Sequence, residues 1–308
     1  MGLRHHVRDA WHELLHGVSP RIALADGGDE RAVAAAIRLA ESRLISPVLV
    51  GPKGASAAAA ARLGVSLGGG VDVVECDADT DPLWRAMELV NEADALGCVA
   101  GAGRPTADVL RAAIKVVGLE PTMSLVSSAI LLMLGDDRVI LVADCAVVPV
   151  PDAAQLAIIA QASARTYTEL MGEPARVAML SFSTLGSADH EAVTPVRTAT
   201  ELVRAQAPDL VVDGELQFDA AFVPEVAARK APDSVIAGNA NVFVFPSLEA
   251  GNIAYKMAER IGGVQALGPI LQGLQAPIHD LSRGCSTDDV FEIAVIAGVQ
   301  VCNHLMAE

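Results

Sequence analysis

Short β-rich runs alternate with amphipathic helical patterns along nearly the whole chain, and this alternation constrains the fold more than any other feature. "RIALADGGDERAVAAAIRLAE" reads as a strand, a Gly/Asp turn and an alanine-rich helix, and "SPVLVG" is the next strand. "ALGCVAGAGRPTADVLRAAIKVVG" repeats the unit, with Thr106 placed to be an N-cap. "RVAMLSFSTLGSA", "LVVDGELQFDAAFVPEVAARKA" and "NVFVFPSLEAGNIAYKMAERIGG" continue it. The pattern predicts an α/β protein with largely parallel sheets flanked by helices. In such sheets ligands bind past the carboxyl ends of the strands, where the Ser-, Gly- and Asn-rich loops of this chain fall. No heptad or solenoid repeat is present, and Val148–Pro151 is the best candidate for a junction between domains.

At 308 residues with 52% hydrophobic content, the chain can bury a large core in one large domain or two. Mean hydropathy is +0.40, yet charges interrupt the apolar runs before the ~18 residues that span a bilayer. "MGLRHHVRDAWHELLHG" places charges and histidines where a signal peptide needs an apolar stretch. A cytoplasmic protein with no membrane partner is expected. Five scattered cysteines without CxxC spacing argue against a disulfide framework or a zinc site. A net charge of −16 repels nucleic acid and requires any anionic substrate to be held by local arginines.

Several loops have the chemistry of a site, each beside a structural alternative. "GAGRPT" from Gly101 imitates a dinucleotide fingerprint but lacks the third glycine, so a tight turn and capped helix is the better reading. Arg111, farther along that helix, can reach a ligand or face solvent. "SFSTLGSA" from Ser181 can offer amides and hydroxyls to a phosphate, or be an ordinary turn. Asp213, Glu215 and Asp219 can hold a divalent cation, although a hydrogen-bonded turn fits better. In "PSLEAGNIAYK", Gly251 and Asn252 are expected to open a helix whose first-turn amides favour an anion. In "DLSRGCSTDDV", Ser286 and Asp289 fit an S-x-x-D cap. Capping explains those two residues but leaves Ser282 and Arg283, which precede the helix, without a structural role.

"DCAVVPVP", "AMLSFSTLGSA", "DGELQFDAAFVPEVAARKAPDS", "NVFVFPSLEAGNIAYKMAERIGG", "GPILQG" and "DLSRGCSTDDV" occur in this order and closely resemble the phosphate acetyltransferase family. The match is dense from Asp144 to about Gln300, and the first third fits more loosely. The resemblance implies an isocitrate/isopropylmalate-dehydrogenase-like fold of two α/β domains. Residues 1–143 with 274–308 would form one and residues 144–273 the other, with the active site in a cleft between them. It further implies a homodimer and acetyl transfer between acetyl phosphate and coenzyme A, by direct thiolate attack in a ternary complex. Coenzyme A, acyl phosphate and phosphate would be the substrates, with no resident cofactor or metal.

By motif match the family's catalytic serine falls on Ser282, its neighbouring arginine on Arg283 and the following acid on Asp289. The "TADxxR" arginine falls on Arg111, and Asn252 is a further substrate-binding candidate. The roles fit the chemistry. A thiol near the cysteine reference of ~8.5 needs a base at neutral pH, and a hydroxyl can stabilise the oxyanion. Guanidinium groups suit phosphate oxygens.

One segment departs from the family. "DADTDPLWRAMELVNEADALGCVAGA" is too short to contain the family's basic E-L-R-K-x-K-G-like helix, and Arg85 is a doubtful substitute for the arginine that helps bind coenzyme A. The shortened N-terminal part is similar to that of phosphate butyryltransferases. Leu185 also stands where the family commonly has lysine. Propionyl or butyryl transfer, or binding of acyl-CoA or phosphate without turnover, are the alternatives.

Overall fold

A computed structural model describes residues 3–135 and 138–307. The chain begins with α1 (Leu3–Leu15), β1 (Arg21–Leu24), α2 (Glu30–Ser42), β2 (Ser46–Pro52), α3 (Ala55–Arg62) and β3 (Asp72–Cys76). It continues with α4 (Pro82–Asn91), β4 (Gly97–Ala100), α5 (Thr106–Val116), β5 (Ser127–Met133), β6 (Val139–Ala143), α6 (Ala153–Met171) and β7 (Arg176–Leu180). The remainder is α7 (Thr194–Gln206), β8 (Val211–Leu216), α8 (Phe218–Phe222), α9 (Pro224–Lys230), β9 (Val242–Val244), α10 (Leu248–Arg260), β10 (Gln265–Gln272), β11 (Ile278–Asp280) and α11 (Thr287–Ala307).

Two compact units result. One holds His5–Thr122 and the chain from Leu267 onward; the other holds Met123–Ala266. The junction expected at Val148–Pro151 lies inside the second unit, and the boundary expected after residue 143 falls at 122 instead. The reason is strand pairing: β5 and β6 form an antiparallel pair, and β6 pairs in parallel with β9, a hundred residues later.

In the first unit the sheet order is β11-β4-β1-β2-β3, with every neighbouring pair parallel. At its centre both faces are covered, a setting that favours near-continuous apolar runs such as the fully buried "GCVA" of β4, while the edge strand β3 is largely exposed. Asp29 caps α2 by accepting from the Arg31 amide, and Ala32, Val33, Ala35, Ala36 and Leu39 form its buried face. The last helix, α11, is long and apolar enough to cross a membrane by length and composition. Here 61% of that stretch is buried, and it packs on α2, β4 and β1, the setting expected of a helix apolar on all sides.

The second unit is built on the strands β5-β6-β9-β7-β8, antiparallel between β5 and β6 and parallel along β6-β9-β7-β8. Ile130, Val142, Ala178, Leu216 and Phe243 lie in its core. A capping box between Asp152 and Gln155 starts α6, and Gly172 at φ 66° ends it.

Candidate active site

The carboxyl ends of β1, β4 and β11 are adjacent in the first sheet, so three loops emerge side by side. Asp280, the last residue of β11, is paired with Ala100, the last of β4. Two residues later come Ser282 and Arg283, both exposed. Register is held from beneath by His279. Its Nδ1 accepts from the Leu271 amide at 3.2 Å and its Nε2 meets Gln300 Oε1 at 2.7 Å. An acceptor at Nδ1 leaves the proton on Nε2, and burial holds the ring's pKa down to about 4.

The turn after β4 is not a phosphate cradle. Asp26, at the end of β1, accepts from the amides of Gly101 (2.9 Å) and Ala102 (3.0 Å), so the groups a pyrophosphate would need are already engaged. Burial raises the Asp26 pKa, with these amides pulling the other way. Gly101 has φ +105°, and a Cβ there would lie 2.2 Å from Asp280 Oδ1 and 2.9 Å from the Leu281 nitrogen. Only glycine fits. Thr106, expected as the N-cap, is instead the first residue of α5 after Pro105, and its hydroxyl donates to Asp280 Oδ2. Asp280 Oδ1 is buried without a hydrogen bond, and burial raises this carboxyl to about 6 against the pull of Thr106 and the Leu281 amide.

The capping role expected of Asp289 is present. Its Oδ2 accepts from the Ser286 amide (2.7 Å) and hydroxyl (3.0 Å), while Ser286 Oγ accepts from the Asp289 amide (3.2 Å). Both bonds to the carboxylate fall on Oδ2. The Gly284 amide donates to Ser282 Oγ at 3.3 Å. Arg283 pairs with no acid among the described residues. Ser282, Arg283 and Asp289 therefore share one loop and helix start. Arg111 projects from α5 in the same unit, exposed and paired with Asp108 at 2.7 Å. Arg85 on α4 is held by Glu88 and Glu92.

Sequence reasoning missed the residue that organises this loop, Arg31 in the first turn of α2. Its guanidinium donates to Asp29, to Ala102 O (2.8 Å), and to both Arg283 O and Cys285 O (3.0 Å each). It also missed Asp26 and Asp280. A charged residue ending the apolar run "PIHD" was the available signal for Asp280.

In the second unit, Asn252 donates its side-chain amide to Cys145 O at 2.9 Å. Gly251 and Asn252 do not open α10, which starts at Leu248 with Ser247 as its N-cap. Gly251 lets the helix approach the "DCAVV" loop: a Cβ would lie 2.4 Å from Asp144 O. Asp144 in turn accepts from the amides of Ala146, Val147 and Val148, folding that loop on itself.

The three acids considered for a cation are each paired: Asp213 with Arg204 and Ser234, Glu215 with Arg197, Asp219 with Lys230. The hydrogen-bonded turn is the reading that fits. Burial pushes the Glu215 carboxyl up, but Arg197, the Gly186 amide and the Ser183 hydroxyl outweigh it and bring it down to about 2. The "SFSTLGSA" loop uses its amides on itself and Glu215: Leu185 donates to Glu215 O, Gly186 to Glu215 Oε1 and Ala188 to Ser183 Oγ.

Known proteins match this arrangement over nearly its whole length. The model of the phosphate acetyl/butaryl transferase family matches residues 76–298. The phosphate acetyltransferase of Bacillus subtilis is 40% identical over 314 aligned positions, covering 94% of this chain and 97% of its own. Among solved structures, the EutD phosphotransacetylase from Staphylococcus aureus superposes with a TM-score of 0.89 at 35% identity, covering 98% of this chain and 99% of its own. A 4-hydroxythreonine-4-phosphate dehydrogenase from Klebsiella pneumoniae, at TM-score 0.58 and 12% identity over 91% of this chain and 98% of its own, shares the fold alone. With the motifs from "DCAVVPVP" to "DLSRGCSTDDV" in place on this fold, the chain belongs to the phosphate acetyl/butaryl transferase family.

Proposed function

We propose that this chain transfers an acetyl group reversibly between acetyl phosphate and coenzyme A. The thiol of coenzyme A gives its proton to Asp289, and the thiolate attacks the acetyl carbonyl carbon. The new C–S bond gives a tetrahedral intermediate, whose collapse breaks the C–O bond to phosphate and releases phosphate. Ser282 donates to the oxyanion of the tetrahedral intermediate, and Arg283 and Arg111 hold phosphate oxygens. Arg111 reaches the phosphate by exchanging its exposed pair with Asp108, which contributes little to stability. Asn252, anchored on Cys145 O in the second unit, is the remaining substrate-binding candidate. The reading asks for no resident cofactor or metal, because the nucleophile belongs to a substrate.

The observation that carries this reading is the "DLSRGCSTDD" loop: an exposed hydroxyl beside an arginine without an acid partner, on a backbone fixed from behind. Acetyl is favoured as the acyl group because the relatives that cover the chain at about 40% identity are phosphate acetyltransferases. Phosphate-dependent loss of acetyl-, propionyl- and butyryl-CoA, measured side by side, tests it. The highest kcat/KM is expected with acetyl-CoA. A preference for butyryl-CoA would reassign the substrate, and turnover of none would make the protein a binder.

The same reading includes a homodimer in the cytoplasm. Ile253 and Met257 on α10 and Ile261 at its C-cap lie four residues apart and are 53%, 54% and 80% exposed, an apolar stripe suited to a second copy. Sedimentation of the purified protein, with Met257→Glu expected to shift it toward monomer, checks this. The five cysteines are all buried and free, as in a reducing compartment.

A further inference from the structure

We propose that Arg31 is the positioning residue of the active site: it holds the backbone at Arg283 and Cys285, immediately after Ser282, in register with the turn after β4. The proposal rests on the catalytic reading of that loop.

One guanidinium ties together the loops that leave three neighbouring parallel strands. From the loop after β1, Asp29 receives Nε (3.0 Å) and Nη2 (2.7 Å), which fixes the plane of the fork. From the turn after β4, Ala102 O accepts from Nη2 at 2.8 Å. From the loop after β11, Arg283 O and Cys285 O accept from Nη1, each at 3.0 Å, and Cys285 Sγ lies 3.5 Å from the same nitrogen. These carbonyls belong to irregular backbone, outside the sheet ladder and before the first turn of α11. Arg31 is therefore what holds them. Its N–H groups are engaged by Asp29 and by the carbonyls of Ala102, Arg283 and Cys285, so it acts on the loop backbone and not on phosphate. Its position behind the loop leaves the Ser282 hydroxyl and Arg283 guanidinium facing solvent.

The geometry also shows why a lysine is a poor replacement. An ammonium can satisfy Asp29 or the loop carbonyls, but it lacks the planar fork that reaches three separate segments at once. Where a reacting group must be held to within a fraction of an ångström, a displacement of about 1 Å costs roughly 10²-fold in rate.

The test is a double-mutant cycle on turnover with saturating acetyl phosphate and coenzyme A, with a thermal melt for every variant. Arg31→Ala is expected to lower kcat by about 10²-fold. Arg31→Lys should fall between it and wild type. Arg31→Ala combined with Ser282→Ala should be no slower than Ser282→Ala alone, because a residue acting through Ser282 has nothing left to position. A purely structural role would instead lower the melt and leave the two kinetic losses to multiply. Multiplying losses, or a folded Arg31→Ala protein with wild-type kcat beside a slow Ser282→Ala protein, overturns the proposal alone. Wild-type turnover in Ser282→Ala sinks the catalytic reading and the proposal with it. Should Arg31→Ala not fold, the Arg31→Lys cycle decides, and full activity in Arg31→Lys overturns the proposal.

Discussion

Two Ser- and Gly-rich loops leave the ends of parallel strands, one in each unit, and each is clasped by an arginine. In "SFSTLGSA" the clasp closes on itself. Arg197 meets the buried Glu215 with two nitrogens, Glu215 also accepts from Ser183 and Gly186, and little of the loop's polar chemistry remains unengaged. In "DLSRGCSTDD" the clasp faces the other way. Arg31 settles its charge on Asp29 and gives its remaining N–H groups to backbone carbonyls, so the side chains of Ser282 and Arg283 are left over. Beneath them, Asp280 keeps one buried oxygen without a partner. The lesson concerns satisfaction: a loop whose polar groups are all engaged stabilises, while one with a fixed backbone and unengaged side chains can act on a ligand.

The largest effect that can break this contrast is at Asp289, which stands on both sides of it as cap and as proposed base. If it only capped α11, Asp289→Asn would be mild, since asparagine can accept the same bonds and a cap contributes about 1 kcal/mol. As the base, it should lose about 10²–10⁴-fold in kcat with its melt little changed, because asparagine cannot take the thiol proton. Raising the pH should recover part of that loss as solvent supplies thiolate. Wild-type turnover in Asp289→Asn would return the residue to capping.

How far the sequence discloses this depends on the range of each interaction. The strand–helix alternation is local and periodic, so the α/β class is readable from "RIALADGGDERAVAAA" alone. The Ser286–Asp289 cap is readable for the same reason, at a spacing of three. Arg31 is not readable: apart from the nearby Asp29, its acceptors are backbone carbonyls, which have no sequence signature, and they lie 71, 252 and 254 residues away. The boundary near residue 122 was hidden because β6 pairs with β9 across a hundred residues. Gly251 and Asn252 looked like the start of a helix because Gly and Asn frequent helix ends. They serve instead to bring α10 against Asp144 and Cys145.

Glu215 sharpens the other half of the contrast. Glu215→Gln breaks the Arg197 pair and should melt several degrees below wild type at neutral pH, with a smaller change in the KM for either substrate. The pH dependence has a fixed sign. A carboxylate lowered to about 2 contributes stability above its ordinary 4.5, and that contribution is lost as pH falls toward 2. The melts of wild type and Glu215→Gln should therefore converge on acidification. A constant gap would assign the loss to packing.

Asp280 should behave in the opposite way. Its carboxyl is raised from 3.8 to about 6, so the folded protein holds the proton more tightly than the unfolded chain does. The stability from that proton is fully present below about 3.8 and is lost as pH rises through about 6. At pH 7–8 the ionised, half-satisfied group is a liability, and Asp280→Asn should raise stability there by on the order of 2–3 kcal/mol. The gain should vanish toward pH 4. A variant that melts below wild type at pH 8 would show that the unpaired oxygen costs the fold nothing.

The smallest expected effect tests the rule itself. Arg85 is engaged by Glu88 at 3.1 Å and Glu92 at 3.2 Å on its own helix, and between β3 and β4 this chain has only α4, without the family's basic segment. By the contrast drawn above, Arg85 has no charge to offer, so Arg85→Ala should leave the KM for coenzyme A near wild type, and that KM should be high for the family. Arg111 is the control. It has one acid partner, Asp108, in an exposed pair that exchanges readily, so Arg111→Ala should raise the KM for acetyl phosphate. If Arg85→Ala instead raises the KM for coenzyme A steeply, then two surface carboxylates do not remove an arginine from binding. The criterion of satisfaction would then hold only where the acid is buried, as Glu215 is beside the part-exposed Arg197, so that the arginine cannot turn to a substrate without leaving a desolvated charge behind.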